Sequence, residues 1–102
     1  MSTPKHDSKL AATMTAAILQ SVQHPDSCIV AGAGDLGNDR AIVRFPGDNH
    51  LHVTNLSEAR TIQLAFAQGG ATKATRAIAD INLQHLKAGQ AALLSVEIGG
   101  AR

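Results

Sequence analysis

The residues of this chain that could do chemistry are its histidines, its single cysteine and a run of spaced glycines. His50 and His52 lie two apart, so on a β-strand their imidazoles project from one face. That spacing can hold a metal ion between two ring nitrogens, with Asp48 or His85 as a third ligand. The competing reading is a pair of solvated strand histidines. Cys28 near His24 offers a thiol and a base, but no third group or oxyanion donor accompanies them. Cys28 therefore reads as a small buried strand residue. His85 falls on an otherwise apolar helix face, as a buried histidine with one hydrogen-bonded nitrogen or as an interface residue. Neither a serine nucleophile elbow nor a paired-carboxylate signature nor a phosphate-binding P-loop is present.

The sharpest motif is Val30-Ala31-Gly32-Ala33-Gly34-Asp35-Leu36-Gly37. It resembles the Gly-x-Gly-x-x-Gly fingerprint of dinucleotide-binding Rossmann domains, and it follows an apolar run as that motif should. His52-Val53-Thr54-Asn55-Leu56-Ser57-Glu58-Ala59-Arg60 resembles the second strand and helix start of such domains. The resemblance covers residues 27–70. It implies that Gly32, Gly34 and Gly37 approach a pyrophosphate, that Asn55 sits near the ribose, and that Arg60 suits a 2′-phosphate, with NAD(P) as cofactor. Asn55 stands where that family carries an acidic ribose ligand. The other reading is a glycine-rich connection between antiparallel strands. Residues 38–45 decide between the two, because pyrophosphate binding needs a helix N-terminus behind the last glycine.

Charge and composition exclude several classes. Nine basic and eight acidic residues give a net charge of +1, with no basic block. Aromatic residues make up only 2%, so basic side chains have no interleaved rings for base stacking, and nucleic acid is not an expected partner. One cysteine cannot form an internal disulfide or a multi-cysteine zinc site. The apolar stretch over residues 10–22 is interrupted by Thr13, Thr15, Gln20 and Ser21 and is too short to cross a bilayer. No targeting segment is legible, and the expected location is cytoplasmic.

These side chains need a frame, and the pattern predicts an α+β single domain over residues 1–102, with 1–6 as a flexible tail. Asp7 or Ser8 caps a first helix whose Leu10, Met14, Ile18 and Val22 form one apolar stripe. Three strands follow as an antiparallel meander: 27–31, 40–45 and 50–54. Ala41, Val43 and Phe45 share one face, and so do Leu51 and Val53. If only one face is buried, a loop at 47–49 pairs Phe45 with Leu51 and Val43 with Val53, with Asn49 left-handed. The His50–His52–Thr54 face is then the less buried one. Ser57 caps a second helix carrying Ala59, Ile62 and Phe66, which ends at Gly69-Gly70. A third helix opens at Thr72 with Ala74, Ala77, Ile78, Ile81 and His85 on one side. Residues 92–98 alternate as a last strand, giving the order α-β-β-β-α-α-β.

The preferred functional expectation is a non-enzymatic binding or regulatory module, of the kind that phage or accessory gene sets encode, acting through a protein partner. A homodimer is part of it, because an open sheet edge or the helix face with His85 could be buried by a second copy. The alternatives are nucleotide binding through Gly32, Gly34 and Gly37, and metal binding through His50 and His52.

Overall fold

A computed structural model describes residues 5–37 and 39–98, with side chains from Ser8 onward. Its elements run α1 (Lys5–Gln23), β1 (Ile29–Ala31), β2 (Arg40–Arg44), β3 (His50–Asn55), α2 (Leu56–Lys87) and β4 (Leu94–Glu97). The four strands form one antiparallel sheet in the order β1-β2-β3-β4. The α+β class and the chain order of elements follow the sequence pattern, and the last strand joins the first three in the same sheet. The first helix already includes Lys5 and His6, ahead of the caps expected at Asp7 or Ser8, while residues 1–4 of the expected tail lie outside the described residues.

Both faces of the inner strands β2 and β3 are buried, while β4 is mostly exposed. Ala41, Val43 and Phe45 pack with Ala59, Ile62, Ala74, Ile78 and Ile81 of α2. Ile29, Ala31, Ile42, Leu51 and Val53 pack with Ala17 of α1, with Leu10, Met14 and Ile18 beside them. Burying each large aliphatic side chain contributes roughly 1.5–3 kcal/mol. The pairing places Ile42 opposite Val53 and Val43 opposite His52. That is one residue away from the expected register, which assumed a single buried face. With helices on both sides, strand residues of either parity are buried, and His52 and Thr54 end up 8% and 5% exposed against α2. The reversal before β3 is a turn in which the Asp48 amide donates to the Phe45 carbonyl at 3.1 Å. Gly47, not Asn49, takes the positive φ, at 88°, behind Pro46, as a type II turn requires.

The helix α1 also sits differently from its predicted stripe. Ala17 and Ser21 face the sheet fully buried or nearly so, whereas Val22 is 73% exposed. Small residues let the helix come close: a Cβ at Gly32 would collide with the Thr13 side chain.

The helix α2 is one element interrupted by non-helical torsions at Gly69 and Gly70. Glu58 near its start contacts His85 near its end. An unbroken helix would hold residues 27 apart at about 40 Å, so the chain turns back on itself at the glycine pair. The predicted second and third helices are these two arms, and both present the apolar faces read from sequence. The cap at the start is Asn55 rather than Ser57: its Oδ1 accepts the Glu58 amide at 2.7 Å.

The outer strand β4 is covered on one side only. The Ile98 amide donates to the Asn49 carbonyl at 2.9 Å, extending the β3–β4 ladder. Because amides alternate sides along an antiparallel strand, Leu94 and Val96 direct their backbone groups to β3. Ser95 and Glu97 direct theirs outward.

Gly70 has φ 72° and ψ −158°, a region that a side chain reaches only with strain of about 1–3 kcal/mol. Gly70→Ala is expected to destabilise the fold by about that amount in urea-induced unfolding. No loss of stability would mean that the reversal of α2 does not depend on this torsion.

Candidate functional site

Two carboxylate–histidine pairs lie along β3, one at the β2–β3 turn where the strand begins and one where it runs into α2. The first is built on the β2–β3 turn. Its Asp48 side chain accepts the His50 amide at 3.2 Å, which holds the carboxylate beside the strand it precedes. Asp48 Oδ2 then lies 2.5 Å from His52 Nε2, and His52 Nδ1 lies 2.9 Å from Ser95 Oγ on β4. The His52 ring stacks on Phe45 with centroids 6.4 Å apart. His50 is the more exposed of the two histidines, with its Nδ1 3.6 Å from Asp48 Oδ1.

The carboxylate–imidazole–hydroxyl chain resembles the one that activates a serine in acyl transfer, with the two ring nitrogens exchanged. Its surroundings differ from such a site. Ser95 lies on an extended strand, where its own amide points outward and that of Val96 points to β3. Neighbouring amides therefore do not converge on Ser95 Oγ to hold an oxyanion. What the chain does mechanically is tie β4 to β3 and to the turn.

The second pair joins the two arms of α2. His85 Nε2 lies 2.7 Å from Glu58 Oε2, and His85 Nδ1 lies 3.1 Å from the Ala91 carbonyl. The Thr54 hydroxyl donates to the other Glu58 oxygen. Both ring nitrogens of His85 face acceptors, and only the imidazolium can donate to both at once. The bond to Glu58 is the main cause of a raised His85 pKa, followed by the Ala91 carbonyl, with burial opposing and the Glu58 charge adding. At Glu58, burial pushes the pKa up. The bonds from Thr54 and His85, the His85 charge and the Asn55 backbone outweigh it, and the net shift is downward. A cleft of about 420 Å³ opens here, lined by Arg40, Thr54, Asn55, Glu58, His85 and Leu94 among others.

The residues singled out in the sequence are distributed as follows. The glycine loop connects β1 to β2, and Gly32, Gly34 and Gly37 all have positive φ, serving the chain reversal. The segment behind Gly37 becomes the strand Arg40–Arg44, so the helix N-terminus that pyrophosphate binding needs does not form there. Asn55 spends its side-chain oxygen on the helix cap, and Arg60 bonds Gln63 at 2.9 Å. His50 and His52 do share a sheet face, but the more buried His52 is engaged at both nitrogens. His85 is bonded to Glu58 instead of joining them. Among the described residues, no three histidine, cysteine, aspartate or glutamate side chains are grouped as metal ligands. Burial pushes the Cys28 thiol up to about 11, which keeps it protonated and a poor nucleophile at neutral pH. Sequence reasoning weighed Asp48 only as a metal ligand and missed Ser95, Glu58 and Thr54. The capping-box spacing of Asn55 and Glu58 was the available signal for the latter carboxylate.

No helix among the described residues is long and apolar enough to cross a membrane. Compared with known family models, curated proteins and solved structures, the chain matches none.

The Glu58–His85 bond gives stability a definite pH window. A histidine raised on folding contributes fully below its ordinary value of about 6.5 and loses that contribution as pH rises through the folded value. A lowered glutamate contributes above its ordinary value and loses this as pH falls through the folded one. The melting temperature of the wild type relative to His85→Ala is therefore expected to be highest between these limits and to decline on both sides. A difference that is flat with pH would show that the bond carries no charge-dependent stability.

Proposed function

We propose that this protein is a small non-enzymatic binding or regulatory module that docks a protein partner onto the β4 edge of its sheet. The observation that carries this reading is β4. Ser95 and Glu97 are exposed and turn their amides and carbonyls away from β3, and Leu94 on the same strand is 50% exposed. An edge of this kind is a template for a further strand, whose main chain supplies affinity while alternate side chains supply selectivity. Natural edges are commonly blunted by proline, lysine or a bulge. Here β4 reads Leu94-Ser95-Val96-Glu97 and pairs regularly with β3 without proline, lysine or a bulge, its one charged residue being Glu97 at the end of a four-residue strand. The two histidine contacts, His52 to Ser95 and His85 to Ala91, support the same reading, because they fix the edge strand and the segment entering it.

The test compares two affinity baits, the wild type and Glu97→Pro. The proline removes one outward amide and leaves the ladder to β3 intact. At least one protein is expected to be retained by the wild type and lost from the variant. Retention that the proline leaves unchanged would remove the edge from the function. Ser95 is expected to resist a fluorophosphonate probe, and stoichiometric labelling of it would replace the non-enzymatic reading with an acyl-transfer one.

A further inference from the structure

We propose that the strand docked on β4 is β4 of a second copy, in antiparallel register centred on Val96. This rests on the reading of β4 as the docking edge and names its occupant. The outward backbone groups belong to Ser95 and Glu97, so a two-fold pairing must match these odd-numbered positions with each other. Three registers do so. Centring on Glu97 sets two carboxylates directly opposite, which is unfavourable. Centring on Ser95 sets Glu97 against Leu93, a side chain already packed toward the α2 core.

Centring on Val96 avoids both conflicts. It places Ser95 opposite Glu97 of the second copy twice over, so hydroxyl and carboxylate meet on the face that α2 covers. On the face that α1 covers, Val96 meets Val96, and Leu94 meets Ile98. These three residues share that face because Leu94 lies opposite Val53 and Val96 opposite Leu51 in β3, with Ile98 packed into the same cluster. Leu94, half exposed in the single chain, thereby gains an apolar neighbour. Ile98 also borders a cleft of about 340 Å³ that includes Ile18, Val22 and Pro46. Leu94 of the second copy would stand beside this cleft, next to Val22, the most exposed large apolar residue of the described chain. The strand is thus complementary to its own reverse in backbone, polar pairing and apolar pattern, and the product is a continuous eight-stranded sheet.

Sedimentation equilibrium at tens of micromolar is the first measurement, with twice the 10.6 kDa chain mass expected. Glu97→Pro is expected to return the single-chain mass, because it deletes one outward donor from each copy. The register is tested separately in a Cys28→Ser background. Val96→Cys should form a disulfide dimer on mild oxidation, because the two Val96 residues meet as a non-hydrogen-bonded pair, where opposed Cβ atoms approach to about 4.5 Å, within disulfide reach. Leu94→Cys, which faces Ile98 instead, should not. This comparison stands even if the proline variant fails to fold. A single-chain mass at every concentration, or a dimer that folded Glu97→Pro leaves intact, overturns the self-pairing. The wider reading of β4 as a docking edge is judged independently by the two baits, where a retained protein other than this chain would uphold it while self-pairing fails.

Discussion

Ala41, Ile42 and Val43 are consecutive and each is fully buried, so the central strand must be covered on both faces, because neighbouring strand residues point opposite ways. Most of the architecture depends on this. The helix α1 supplies one cover, using Ala17 and Ser21 to approach closely. The two arms of α2 supply the other, and they can do so only because the glycine pair folds the second arm back. With both faces dry, the pairing of β2 with β3 is no longer governed by keeping one face apolar. It settles where Val43 meets His52.

Placing His52 in the interior creates a demand that the surrounding residues meet. A buried imidazole with unpaired nitrogens is costly, and Asp48 on one side and Ser95 on the other satisfy it. Among the described residues, no buried side-chain nitrogen or oxygen lacks a partner. His85 and Glu58 repeat the arrangement at the other end of β3, with Thr54 completing the carboxylate. His52 and His85 thus each pair with a carboxylate and reach across to the segment containing β4. Both carboxylate–histidine pairs thus bear on the attachment of the edge strand β4.

That attachment links the sites to function. A hydroxyl, an imidazole and a carboxylate in series are usually read as catalytic machinery. On an extended edge strand, however, successive amides diverge, and the same atoms act as a fastening. The edge so fastened presents backbone groups outward in a fixed register, which is the preorganisation that strand addition needs.

The sequence by itself determined the elements and much of the core. The alternation of residues 40–45 and 50–54, the glycine pair after Phe66, and the apolar spacing of Ala74, Ile78 and Ile81 are local patterns, and local geometry reads them out directly. It likewise presented Gly32, Gly34, Gly37, His50 and His52 as candidates. Only the tertiary structure decided their roles. Register depends on how many faces of the sheet are covered, which no single strand records, and the pairing of Glu58 with His85 depends on the chain reversing between them. Ser95 became a partner of His52 only when β4 returned to lie beside β3. A sequence lists which groups can bond, whereas the distances that select among them are fixed by packing between elements far apart in the chain.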